Sequence, residues 1–168
     1  RILCFTIDTP EESFTERTEG YRRAFADHNM AVDDALIISG DGTFEFGYNY
    51  VIGNAALFRE NVTAIFSQTD IMALGAIEGL WDIDLIVPDD VAIVSYDDIG
   101  FGKDFRPRLT TVHQPRDRLA VAACKRLNEM LSEGSDQQSE LLQRRVLPHL
   151  VVRESCGSQS SLPVSRRK

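Results

Sequence analysis

The sequence predicts an α/β fold, a mostly parallel sheet with helices on both faces. Three observations carry this. Short β-branched apolar runs alternate with segments of helical period in the order β-α-β-α-β-α-β. The connections between them are short. One run, Val91–Ser95, is apolar almost throughout, as a strand buried on both faces has to be.

The elements follow in order. Arg1–Asp8 reads as a strand, and Thr9–Ser13 as a loop broken by Pro10. From Phe14 to Asn29 the period is helical, with Phe14, Tyr21, Ala24 and Phe25 near one face and Glu12, Glu16 and Glu19 elsewhere. Ala35–Ser39 is a short strand, and Gly40–Thr43 a turn whose residues allow positive φ. A helix is expected over Glu45–Arg59, weakened by Gly47 and Gly53. Val62–Ser67 is the next strand, followed by a clear helix over Ile71–Trp81 with Thr69 or Asp70 as its N-cap. Leu85–Pro88 connects to the Val91–Ser95 strand, and Ile99–Arg108 is irregular.

Leu109–His113 is extended, but it follows the previous strand too soon for a crossover helix. One explanation is that it leaves the sheet for a second lobe. The amphipathic helix Arg116–Ser132, with Leu119, Ala123, Leu127 and Leu131 in one stripe, would then belong to that lobe. Gly134–Gln138 is a polar turn, and Arg145–Arg153 a final strand at an edge or bulge because of Pro148. The Ser-rich residues 155–168, ending Arg166-Arg167-Lys168, read as a disordered tail.

Composition excludes several function classes. The 168 residues suffice for a real core, and 43% apolar content is incompatible with general disorder. No apolar run approaches the ~18 residues of a membrane span. A secretory signal is not expected, and the absence of an initiator Met suggests a fragment or processed chain. The net charge of −8 repels phosphate backbones, so this piece is not expected to hold nucleic acid by itself. Cys4, Cys124 and Cys156 have neither the number nor the spacing of a disulfide framework or zinc site. They fit reduced structural cysteines in a cytoplasmic protein.

No catalytic set is visible. His28, His113 and His149 are scattered, and phosphate-binding and nucleophile-elbow motifs are absent. Asp97 and Asp98 are carboxylates at a strand end, but neighbouring strand residues point to opposite faces and make a poor dyad. The expectation is a non-enzyme without metal or cofactor.

A binding cleft is the better reading. Ligands in open α/β sheets sit beyond the carboxyl ends of the strands. At those ends stand Arg17, the Gly40–Phe44 turn, Gln68–Asp70, and Asp97 with Asp98. A carboxylate that accepts from hydroxyls and a guanidinium that donates in a planar fork can hold a polyol. An aromatic face, Phe44 or Phe101, could cover a sugar ring. Plainer roles stay open for each: Arg17 pairing with glutamates, Thr69 and Asp70 only capping, Phe44 and Phe101 in a core or interface.

Six strings, in order, carry a resemblance: RTEGYRRAF, GDGTFEFGY, TAIFSQTDIMALGAIEGL, VPDDVAIVSYDDIGF, PRLTTVHQP and VVRES. Up to Ser155 the chain resembles the effector-binding region of the LacI/GalR (lactose-repressor) family. The resemblance implies a two-lobed periplasmic-binding-protein fold with a small-molecule effector, a sugar or derivative, in the cleft. Residues 1–108 would be most of the C-terminal lobe, whose first strand and helix are expected outside this chain. Residues 109–154 would hold the hinge crossing, a helix and the return strand of the N-terminal lobe.

The resemblance further implies effector contacts at Arg17, Asp97 and Gln114. Thr69 falls where many members have Asn, and Gly42 where several have a stacking aromatic that Phe44 would replace. It implies a homodimer pairing through Ile71, Leu74, Glu78 and Phe101, and operator DNA held by a helix-turn-helix headpiece not present in this sequence. The alternative is a periplasmic sugar-binding receptor of a transporter.

Overall fold

A computed structural model describes residues 1–133 and 145–158. Six strands form one sheet in the order β2-β1-β3-β4-β5-β6. They are β1 (Ile2–Ile7), β2 (Ile37–Gly40), β3 (Ala64–Ser67), β4 (Ala92–Asp97), β5 (Thr110–His113) and β6 (His149–Val151). The first five pair in parallel, and β6 closes the edge antiparallel to β5. The predicted class therefore holds. The helices are α1 (Glu12–Asp27), α2 (Phe44–Gly53), α3 (Ala55–Glu60), α4 (Asp70–Asp82) and α5 (Arg116–Glu133).

Strand alternation assigns the layers. Cys4 and Phe5 point to opposite faces of β1. Phe5 meets Phe46 and Tyr50 of α2 edge-on, at ring centroids of 5.4 and 5.3 Å. Phe66 lies in register with Cys4, and its ring stacks with Tyr21 of α1. So α1 covers one face and α2 the other, with α4 packed on α2. The core lies on the α2/α4 side: Leu3, Phe5, Ile65, Met72, Ile77, Leu80 and Ile93 are almost fully buried.

Of the two glycines that weaken the expected Glu45–Arg59 helix, Gly53 has open space around it and Gly47 has a use in packing, matched by Gly75 on α4. A Cβ on Gly47 would collide with the Met72 carbonyl oxygen, and one on Gly75 with that of Phe44. The two helices therefore touch backbone to backbone. The predicted single helix is in fact two, α2 and α3, separated at Asn54, whose side-chain amide donates to the Tyr50 carbonyl at 2.8 Å. The same carbonyl accepts from the Asn54 backbone amide at 3.1 Å, so Asn54 closes the end of α2 with both its amides.

Two further expectations change. Leu109–His113 does not leave the sheet. Leu109 is buried and Thr110–His113 is the fifth strand, with Val94 opposite Thr110 and Asp97 opposite His113. The 98–109 connection makes the parallel crossover without an α-helix, through a 3₁₀ turn at Gly100–Lys103. The return strand is shorter than Arg145–Arg153 and stays in the same sheet.

The tail does not begin at 155 either. Ser155 is fully buried; its hydroxyl donates to the Ile93 carbonyl (2.7 Å) and accepts from the Thr110 amide (2.8 Å). It bridges the edge where β4 and β5 begin. The rest of the predicted tail beyond Ser158, and the Gly134–Gln138 turn, lie outside the described residues. Among the described residues no helix is long and apolar enough to cross a membrane.

Candidate functional site

The carboxyl ends of β3, β4 and β5 bring Arg17, Asp97 and Gln114 together. Arg17 stands on the second turn of α1, which crosses the sheet above Phe66. Its Nη1 donates to the Gln68 carbonyl at 2.7 Å. Its guanidinium lies over the Tyr96 ring, 3.8 Å from the centroid, and 4.7 Å from that of Phe14. Two aromatic faces thus hold it flat, an attraction the ring quadrupole provides. The pairing with glutamates left open for Arg17 is not among these contacts.

Asp97 ends β4. Its Oδ1 accepts from Gln114 Nε2 at 2.6 Å, so the last residue of one strand meets the residue just past the next. Burial pushes the Asp97 carboxyl above its ordinary range; the Arg17 charge opposes this, nearby Asp70 adds to it, and Gln114 and Arg116 pull it back down. The half-buried carboxyl is set between an arginine and an amide. That arrangement can accept from hydroxyl donors on one side while a planar cation donates on the other.

Backbone geometry aims these groups. Asp97 and Asp98 have φ of 125° and 53°, a conformation that non-glycine residues take only when surroundings enforce it. Several do so here. Arg116 Nη2 donates to the carbonyls of Asp97 (2.8 Å) and Asp98 (3.3 Å). The Asp98 amide donates to Thr111 Oγ1 (3.3 Å) and the Ile99 amide to Asp70 Oδ2 (2.8 Å). Asp98 turns away from Asp97 as strand alternation predicts, toward His113 and Arg153.

Asp70 is the buttress of the corner. It is fully buried, and its Oδ1 accepts from the hydroxyls of Thr111 (2.6 Å) and Ser95. Burial raises its pKa, and the three hydrogen bonds oppose that rise. Among the described residues no buried side-chain polar atom is left without a partner.

Other expected site residues lie elsewhere or do other work. Thr69 caps α4, its hydroxyl accepting from the Met72 amide at 3.4 Å, and it is nearly buried. Capping was the plainer of its two readings. Phe44 packs on the core at the start of α2, its carbonyl against Gly75. It is fixed at the α2–α4 contact because the glycine there admits the backbone. Gly42 has φ of +82°, and a Cβ there would meet Ile7 Cδ1 at 2.9 Å.

Of the expected dimer residues, Leu74 is 5% exposed and belongs to the core, since α4 is enclosed between the sheet and α2. Ile71 (38%) and Phe101 (75%) are exposed, and Glu78 is half-buried. Among the described residues no group of three or more His, Cys, Asp or Glu is placed to hold a metal ion.

Two contributors escape the sequence reading, Arg116 and Arg153, the latter inside the VVRES string; of Gln68 and Tyr96 the sequence shows only the place at the strand ends, not the role. Gln68 is fully buried, bonding Thr18 Oγ1 (2.7 Å), Phe14 O (3.2 Å) and Thr6 Oγ1 (3.0 Å), which locks β3 to α1. Tyr96 lies under the Arg17 guanidinium.

A mostly parallel sheet with a polar rim at its strand ends is the architecture of a periplasmic-binding-protein-like lobe. The chain belongs to the periplasmic binding protein-like domain family, whose model matches residues 1–156, and it is similar to LacI-family transcriptional regulators. It is 37% identical over 141 residues to the HTH-type transcriptional regulator MalR of Clostridium butyricum, covering 83% of this chain and 40% of that protein. It is 36% identical over 140 residues to the HTH-type transcriptional repressor PurR of Histophilus somni (strain 2336), with the same coverage of 83% and 40%.

Solved structures agree. A LacI-family regulatory protein from Chloroflexus aggregans superposes with a TM-score of 0.80 at 27% identity, covering 94% of this chain and 55% of that one. The transcriptional regulator CelR in complex with cellobiose gives 0.78 at 31% identity, covering 92% and 46%. The chain thus spans about 40% of the length of these two relatives.

Proposed function

We propose that this chain is the ligand-sensing part of a cytoplasmic DNA-binding transcriptional regulator. A small polyhydroxylated effector, a sugar or derivative, binds against Arg17, Asp97 and Gln114 and changes affinity for operator DNA. The observation that carries this reading is the convergence of these three side chains at the ends of neighbouring strands, with Asp97 bonded to Gln114 and Arg17 pinned beside them. The relation to a regulator that was solved with cellobiose supports the sugar class.

In this reading residues 1–108 form most of one lobe, joined by β5 and β6. The α5 helix belongs to a second lobe that closes over the rim. The exposed Leu119, Leu127 and Leu131 on α5 are the surface that such a lobe would cover. The protein pairs as a homodimer near Ile71, Glu78 and Phe101, and a headpiece beyond this chain holds the DNA. Effector binding acts by unequal affinity for two lobe arrangements, so it is thermodynamically linked to DNA binding.

The test is effector binding to the wild type, Arg17→Ala and Asp97→Ala. Loss of binding in both variants, with circular dichroism unchanged, is the expected result. Full affinity in both variants overturns the site.

A further inference from the structure

We infer that Asp98, His113 and Arg153 form a proton-sensitive clamp that positions Asp97, tightening as His113 gains a proton. The inference extends the proposed effector site and rests on it for its functional meaning, though not for its test.

The clamp is built at one corner. Asp98 Oδ1 accepts from Arg153 Nη2 at 2.6 Å, and Oδ2 meets His113 Nδ1 at 2.8 Å. The side chains of Asp98 and Arg153 are only 18% and 16% exposed, so the pair is largely sheltered from solvent screening. Arg153 is itself anchored, Nη1 donating to the Leu109 carbonyl (2.8 Å) and its amide to Thr110 Oγ1 (2.8 Å). One carboxylate therefore ties together the end of β4, the end of β5 and the segment after β6.

What it holds is strained. Asp97 and Asp98 both have positive φ, and the orientation of the Asp97 carboxyl depends on that backbone. Asp98 touches no candidate effector group directly in this geometry. It is a positioning residue, acting on Asp97 through one peptide unit.

Histidine brings the pH response, because an imidazole gains a positive charge and a second N–H donor when protonated. Neutral His113 donates one hydrogen bond to the Asp98 carboxylate; protonated, it adds an opposite charge and the contact becomes an ion pair. The groups facing it are Asp97 and Asp98 from the end of β4, Arg116 from the start of α5, Arg153 after β6, and His149 on β6. The Asp98 charge in turn helps raise the pKa of Asp70 nearby. His149 is the opposing member. It is the register partner of His113, with ring centroids 4.9 Å apart. A charge on both rings would work against the clamp, so His149→Gln should sharpen the response.

The test uses the full chain and no effector. Amide hydrogen exchange of Asp98 and Ile99 is followed by NMR from pH 8 to 6, corrected for intrinsic exchange rates. Protection is expected to rise about five-fold, the gain from adding an opposite charge to that hydrogen bond. The rise should be absent in His113→Gln and larger in His149→Gln, while amides in α4 stay unchanged in all three proteins. Flat protection in the wild type, or an equal rise in His113→Gln, overturns the clamp. The proposed effector site fails separately, by retained ligand binding in Arg17→Ala and Asp97→Ala.

Discussion

Replacing Asp70 by alanine should be among the most damaging single substitutions in the chain. The carboxylate accepts from Thr111 Oγ1, Ser95 Oγ and the Ile99 amide, all in a fully buried position. Alanine removes all three acceptor contacts. The Ser95 hydroxyl has a second acceptor in the Thr110 carbonyl at 3.4 Å. The Thr111 hydroxyl and the Ile99 amide are left stranded. Each stranded donor costs ~1–3 kcal/mol, so the loss should be about 3 kcal/mol.

Asp70→Asn separates charge from shape. Its amide oxygen keeps the two hydroxyls, but its NH2 group meets the Ile99 N–H, and a loss of about 1.5 kcal/mol is expected. The assay is equilibrium urea unfolding at pH 7 with circular dichroism and tryptophan fluorescence as probes. A loss below ~1 kcal/mol in Asp70→Ala would refute the reasoning, because relaxation or water would then have satisfied both donors.

Four other outcomes are expected. Gly75→Ala forces a Cβ against the Phe44 carbonyl and should destabilise by about 3 kcal/mol in the same unfolding assay, as overpacking does. Removing the exposed Arg22–Asp34 pair with Asp34→Ala should change stability by less than ~0.5 kcal/mol, since both partners reach solvent. Native-state thiol titration should label Cys124, which is exposed, and Cys156, whose pKa is lowered on balance, hydrogen bonds from Ser158 outweighing burial. It should spare Cys4, which burial pushes up to about 12.

Stability against pH should show two opposed contributions. Hydrogen bonds from the Arg108 amide and side chain lower the Glu154 pKa. Its contribution is therefore present above the ordinary 4.5 and lost as pH falls through the depressed native value. The Asp97 pKa is raised, so its contribution runs the other way: the native state favours the protonated form, and stability is lost as pH rises from 3.8 through the raised value. Glu154→Gln should lessen the acid limb of a Tm–pH curve, to which the depressed Asp98 also contributes, and Asp97→Asn should reduce the loss above pH 3.8, to which the raised Asp70 also contributes.

Much of this was legible because strand ends in a parallel sheet have a readable grammar. The apolar run ending at Ser95 and the polar Tyr96-Asp97-Asp98 tip located the rim, and the matching motifs supplied Arg17 and Gln114 as its other members. What escaped depends on pairing. Gly47 and Gly75 look like flaws in two separate helices until the helices meet. The family resemblance alone places Leu74 at a dimer surface, but α4 is covered on nearly all sides and Leu74 is 5% exposed. Ser155 reads as tail composition, yet one hydroxyl bridging Ile93 and Thr110 fixes it in place. Leu109–His113 reads as departing because a 3₁₀ turn, not a helix, makes its crossover.

The central claim is that Arg17, Asp97 and Gln114 are a ligand site. The most direct measurement is a thermal-shift screen of the chain against neutral mono- and disaccharides including cellobiose, sugar phosphates and nucleobases, with each stabilising compound repeated on Asp97→Ala. The account predicts at least one stabilising sugar or derivative whose shift disappears in Asp97→Ala. A screen with no stabilising compound, or a shift that survives intact in Asp97→Ala, would contradict it.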